Sequence, residues 1–197
     1  MSCRYVDRER RQAGQVLPVL MLILVILSLL IVNGLQTAAW QARLLGQHVQ
    51  RQGMFLEAES SLVQAERVLH GWEAGPLPGC LQGVCGSVDD EEQVRWRNAH
   101  HVGWAGMSVT QEVAAAPARA YRMAEYLGCR LAGGELVPSV PADAACVEVF
   151  YRVTVRLENG EGQQVMLQST VSGEVAQGNG QPVLRDIRRQ AWREVAG

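Results

Sequence analysis

Between Val16 and Val32 the chain carries 17 residues broken only by Pro18 and Ser28, with no charge among them. Continued through Asn33, Gly34 and Leu35, the uncharged stretch reaches 20 positions. That is the length of a helix that crosses the ~30 Å hydrocarbon core of a bilayer. A folded domain made from the rest of the chain has no use for so apolar a segment at one end. The sequence therefore reads as an apolar N-terminal helix with a separate domain behind it. The full 197 residues leave room for one such domain of ordinary size. A formal net charge of -2 gives no reason to expect nucleic acid as a partner. The basic residues are all Arg and are scattered along the chain, which reads as compositional bias.

Residues 1–14 are polar and basic, with Arg4, Arg8, Arg10 and Arg11 against Asp7 and Glu9. Positive charge beside a span holds that end in the cytoplasm and sends the remainder across the membrane. Three readings fit this start. A cleaved signal peptide needs a small-residue site after the apolar run, and the run is long for that. An uncleaved signal anchor is the plain alternative. The third rests on Arg10-Arg11-Gln12-Ala13-Gly14 followed at once by Gln15-Val16-Leu17, which resembles a prepilin leader cut after Gly14. Pro18 then stands in the first helical turn, where its missing N–H costs little.

The helical pattern continues past the apolar run. Gln36 to Trp72 holds no Pro, and Phe55, Ala58, Leu62, Ala65, Leu69 and Trp72 recur at spacings of four and three, an apolar stripe on one helix face. Glu57, Glu59, Gln64, Glu66 and Arg67 fall off that stripe. A helix from Gln15 to Trp72 is roughly 87 Å long: 15–36 as a membrane or filament-core half, 37–74 as an amphipathic half carrying a domain on Phe55, Leu62 and Leu69. Gly71 and Gly75-Pro76 end it.

The head is expected over 75–176. Gly75 to Ser87 reads as a loop. Asp89 to His101 reads as a short helix with an acidic first turn. Tyr121 to Leu127 reads as a strand. Val147, Val149, Tyr151, Val153, Val155 and Leu157 alternate with Glu148, Arg152, Thr154 and Arg156, Phe150 being the exception on the polar face. Asn159-Gly160 supplies a turn and Gln164 to Val171 returns as the second strand of a hairpin. The sheet is expected to bury the helix stripe. The tail, 177–197, is Gly-rich and then charged, and reads as loose or as a short terminal helix.

Cys3 precedes the span and would leave with the leader; Cys80, Cys85, Cys129 and Cys146 follow it. An even number on one side of a membrane fits an oxidising compartment and two disulfides. Three pairings are open, and 80–85 with 129–146 is preferred because Cys129 closes one strand and Cys146 opens the next. Cys80-x4-Cys85 lacks a second pair at zinc-finger spacing. His48 and His70 are 22 residues apart on the helix and His100-His101 point apart, so no metal site is expected. Trp96 and Trp104 are expected in the core. Gly133-Gly134 reads as a turn. No catalytic motif and no cofactor site stands out.

Three further stretches occur in order: Phe55 to Glu66 (FLEAESSLVQAE), Pro117 to Glu125 (PARAYRMAE), and Tyr151-Arg152-Val153-Thr154-Val155-Arg156 with Val165-Met166-Leu167-Gln168-Ser169-Thr170. With the leader, they make the chain resemble the PilX-type minor pilins of type IV pili. The resemblance implies an α+β, type IV pilin-like fold whose long N-terminal helix spans the membrane with its first half and packs on an antiparallel sheet with its second. It implies processing between Gly14 and Gln15 by a prepilin peptidase. It implies filament contacts through Val16, Leu17, Val19, Leu20, Leu24 and Leu27 to other minor pilins and the major pilin. It implies a place first in the bacterial inner membrane, head in the periplasm, and then at the pilus tip with a PilY-type adhesin.

Two positions depart from the family. Gln15 stands where Phe is usual, and Val19 stands where most members carry a Glu that pairs with a neighbour's N-terminal amine. A carboxylate without that partner is costly in an apolar core, so its absence suits a subunit with no neighbour ahead of it. The tip pseudopilin of type II secretion, GspK, also lacks the Glu, but it carries a large helical insertion that this chain is too short to hold. The alternatives are such a tip pseudopilin, or a signal-anchored periplasmic domain with a sensing or enzymatic role.

Overall fold

The computed structural model describes residues 16–75, 77–86, 95–109, 118–138, 145–178 and 181–195. The leader with Cys3, Gly14 and Gln15, the acidic run Asp89–Glu92 and Pro117 lie outside the described residues. Among the described residues the fold is α+β: one α-helix, α1 (Val16–Val68), followed by eight strands in one sheet. The chain divides into two units, residues 1–49 and 50–197.

In the first unit the described residues are all helical. The second unit begins with the last five turns of α1 and holds the whole sheet. Its strands are β1 (Cys80–Leu81), β2 (Val84–Cys85), β3 (Ala105–Met107), β4 (Arg119–Leu131), β5 (Leu136–Val137), β6 (Cys146–Glu158), β7 (Gln164–Gly178) and β8 (Gln181–Val195). The four long strands run β4-β6-β7-β8, each antiparallel to the next. Three short strands cap the outer edge of β4: β3 at Ala120–Arg122, β2 at Ala124–Glu125 and β5 at Cys129–Arg130. The sheet is mixed, not purely antiparallel as expected, because β2 runs parallel to β4.

The helix and the sheet meet through complementary periodicities. Met54, Ala58, Leu62, Ala65 and Leu69 are at most 3% exposed. They bury against Ala124, Tyr126, Val149, Tyr151, Val153, Val155, Leu157 and Leu167 from alternate positions of the strands. Ala58, Ser61 and Ala65 are small, so the helix backbone comes close to the sheet. The buried face is rotated from the expected stripe. Phe55 lies at its rim, tilted against Trp192 at 6.0 Å, and Met54 takes the centre. Glu57, expected off the stripe, is 1% exposed: it follows Met54 by three and precedes Ser61 by four, and so shares their face.

Helix α1 ends at Val68, short of Trp72. Gly71 adopts φ +78, a conformation that suits Gly at a helix end. Its N–H donates to the Leu184 carbonyl at 2.8 Å. From there 71–74 runs beside the start of β8, with Glu73 bridging Val183.

Three other expectations give way. The 75–87 segment contains a disulfide-closed hairpin, β1–β2. Gln82 (φ 49) and Gly83 (φ 85) take the two left-handed positions of a tight turn. The expected helix to His101 is, where described, a single 3-10 turn at Arg95–Arg97 followed by bends. The tail is neither loose nor helical: β8 pairs with β7 over nearly its whole length, with two bulges. Its side chains are mostly exposed and include Arg185, Asp186, Arg188, Arg193 and Glu194, as suits an edge strand that resists unwanted pairing. The β6–β7 hairpin is present, but its loop spans 159–163 and the left-handed residue is Gly162 (φ 80), not Gly160. Asn159 Oδ1 accepts the N–H groups of Glu161 and Gln163 at 3.1 and 2.8 Å. Val147, expected on the buried face, is 44% exposed at the sheet's end.

One polar contact fastens β8 to the helix. Glu66 accepts from Arg189 Nε and Nη2 at 2.8 and 2.9 Å and from the Ser169 hydroxyl at 2.6 Å. These bonds hold the Arg189 guanidinium above its ordinary pKa. Glu66→Gln removes the bidentate charge pair at a half-buried site, and a loss of about 1–3 kcal/mol is expected. Amide exchange should quicken first in β8; unchanged β8 protection would show that the contact is incidental.

Candidate functional site: the exposed apolar helix

In the first unit, every large apolar side chain from Val16 to Leu35 is exposed. The residues expected to make filament contacts are Val16 (67% exposed), Leu17 (67%), Val19 (55%), Leu20 (54%), Leu24 (62%) and Leu27 (49%), and at about 100° per residue they fall on one half of the helix circumference. The segment is long and apolar enough to cross a membrane once, and none of its apolar window is buried within the chain. At 1.5 Å per residue, Val16 to Leu35 spans about 30 Å, the hydrocarbon thickness of a bilayer. Water does not tolerate an apolar surface of this extent on a stable monomer.

The polar side chains on this segment are satisfied within the helix. Ser28 Oγ donates to the Leu24 carbonyl at 2.7 Å, Asn33 Nδ2 to Leu29 at 2.9 Å and Thr37 Oγ1 to Asn33 at 2.9 Å. Such back-bonding leaves these side-chain donors paired in an apolar medium. One turn past Gln36, the Arg43 guanidinium lies 5.8 Å from the Trp40 ring centroid. An amphipathic ring beside a cation is the chemistry of the lipid headgroup layer. The sequence marked the apolar run; the local satisfaction of Ser28, Asn33 and Thr37 needed the backbone.

The head unit carries two disulfides. Cys80–Cys85 links the ends of the β1–β2 hairpin and Cys129–Cys146 links the end of β4 to the start of β6. The hairpin sits at the sheet edge, with Val84 in the core against α1 and Cys85 on the opposite face, where Cys85, Trp96, Met123 and Met166 form a second small core flanked by Trp104. Trp104 is only half-buried. The Arg156 guanidinium lies between its ring, at 4.7 Å, and that of Tyr121, at 4.9 Å. His101 Nδ1 accepts the Gly103 N–H at 3.0 Å, a turn-forming role. Gly133 and Gly134 stand in the turn before β5.

The same face has a polar centre that sequence reading missed. Glu125, Arg152, Thr154, Gln168 and Arg193 come together from β4, β6, β7 and β8 beside a hollow of about 320 Å³. Gln168 Oε1 accepts from Arg193 at 2.8 and 3.2 Å, and its Nε2 donates to Thr154 at 3.1 Å. Arg152 approaches Glu125 at 3.7 Å. Thr154, Gln168 and Arg193 use one another as partners, whereas both Glu125 carboxylate oxygens are buried without a hydrogen-bond partner.

Burial outweighs the attraction of Arg152 and Arg95 and raises the Glu125 carboxyl above its ordinary range. A carboxyl with a higher pKa folded than unfolded adds stability at low pH, and that contribution is lost as pH rises through the folded value. Glu125→Gln is therefore expected to match the wild type near pH 4 and to melt higher at pH 7. A variant less stable than wild type at pH 7 would mean that the Arg152 pairing outweighs desolvation. Comparison of the chain with family models, curated proteins and solved structures finds no match.

Proposed function

We propose that this chain is a minor pilin: a non-enzymatic, membrane-anchored subunit whose N-terminal helix leaves the bilayer to pack among the helices of a type IV filament. The observation that carries this reading is the wholly exposed apolar helix, its polar side chains satisfied within the helix. It is covered equally well by lipid before assembly and by like helices after it. A disulfide-bonded sheet domain packed on the last turns of α1 supports the same reading.

The leader-like Gly14-Gln15 junction makes a prepilin peptidase the processing partner, and the two disulfides suit a head in the periplasm. Val19, in place of a carboxylate, supports a position at the tip, with other minor pilins and a PilY-type adhesin as the neighbours proposed. The same feature fits a tip pseudopilin of a secretion system, which shares this physics. Gly14→Ala tests the proposal. The variant should accumulate as the longer, unprocessed form on a gel and fail to enter filaments. A product of unchanged mobility would count against a prepilin.

A further inference from the structure

On the helix-facing side of the head, a cleft of about 410 Å³ opens beside the last turns of α1. It is lined by Gln64, Arg67 and Val68 of the helix, Met107 and Ser108 at the end of β3, and Arg122 of β4. No carboxylate lines it. Arg67 is exposed and has no ion-pair partner among the described residues. The carbonyls at the α1 C-terminus offset part of its charge but leave its forked donors unused. Arg122 gives Nη2 to the Gln82 carbonyl at 3.3 Å, while its Nε is buried with no partner. Burial lowers the Arg122 pKa, the direction expected where a cation is desolvated and no anion compensates.

The contrast within the head decides the assignment. Arg189 is paired with Glu66, Arg152 with Glu125, Arg188 with Glu174 and Arg156 with Glu158. In this cleft two arginines stand with a hydroxyl and an amide, and no carboxylate of the described residues lines it. The walls beside them, Val68 and Met107, are apolar and suit the methylene stem of an acidic side chain. Among the described residues strand β3 pairs with β4 alone, and an extended segment following its second edge would add a strand there. We infer that the cleft formed by Arg67, Arg122 and Ser108 binds a carboxylate of an acidic, extended segment of a partner protein. Paired guanidinium forks are suited to that group.

The inference goes beyond the filament assignment, since binding is a property of the isolated chain. Full-length protein in neutral detergent at low salt is titrated with fluorescently labelled tetraglutamate and, separately, tetraglutamine. Tetraglutamate should bind and tetraglutamine should not. Arg67→Gln should weaken binding about tenfold without moving the melting temperature, because Arg67 is exposed and unpaired. Arg122→Gln should weaken it further, and the Arg67 variant keeps the test sound should the Arg122 variant misfold. Equal affinity of wild type and Arg67→Gln, or equal binding of the two peptides, overturns the assignment. Sulfate displacing the peptide as effectively, mole for mole, as unlabelled tetraglutamate marks a free-anion site and overturns it too.

Discussion

Leu62→Asp is expected to leave no folded head. Leu62 is 0% exposed at the centre of the α1–sheet contact, between Ala58 and Ala65 on its own helix. Truncating a buried Leu to Ala costs about 2–5 kcal/mol from lost burial and the cavity left behind. An aspartate adds an unpaired charge in a space with no room for water, and that addition is of the same size or larger. The sum is comparable with the whole stability of a domain of this size. The variant should lose its cooperative melt and become open to protease between Gln50 and Val195, while the apolar segment remains in the membrane fraction. A cooperative melt with both disulfides formed would mean that the helix stripe is not the core of the head.

The second large effect is expected at the Cys129–Cys146 disulfide. It closes a 17-residue segment, and constraint of a loop that long in the unfolded chain stabilises by about 3 kcal/mol. The bond also pins the ends of β4 and β6 where the register shifts, between Arg130 and Leu131. Replacing both residues by Ala is expected to lower the melting temperature by ~10 °C. The Cys80–Cys85 disulfide, between residues five apart, closes so short a loop that the entropic share lost on replacing both is smaller. A drop of under about 2 °C for the Cys129/Cys146 variant would show that the β4–β6 ladder already sets the geometry.

What the sequence made legible was whatever carried a strong period. The apolar run of Val16–Val32 and the alternation of Val149, Tyr151, Val153, Val155 and Leu157 each point to one element, and those elements are present. The preferred cysteine pairing followed from strand ends and is the pairing in the structure. What stayed hidden had weak or misleading local signals. Strand β8 carries Arg185, Asp186, Arg188, Arg189, Arg193 and Glu194, so its pattern reads as solvated tail; pairing with β7, not apolar alternation, makes it a strand. Glu57 looked like surface because it is charged, yet its helical phase places it beside Met54 and Ser61. The β1–β2 hairpin was concealed by its length, its turn signalled only by Gln82-Gly83. Glu125 and Arg152, or Arg67 and Arg122, are brought together by strand order and helix docking, which no spacing along the chain reports.

Both large effects concern the head; the proposed role concerns the helix. If the apolar rod is released from a leader to join a filament, the chain recovered from wild-type cells must begin at Gln15, and mass spectrometry of its N-terminal peptide reads this directly. The expected first residue is Gln15. A wild-type chain that still carries residues 1–14, or one cut beyond Leu35, would contradict it.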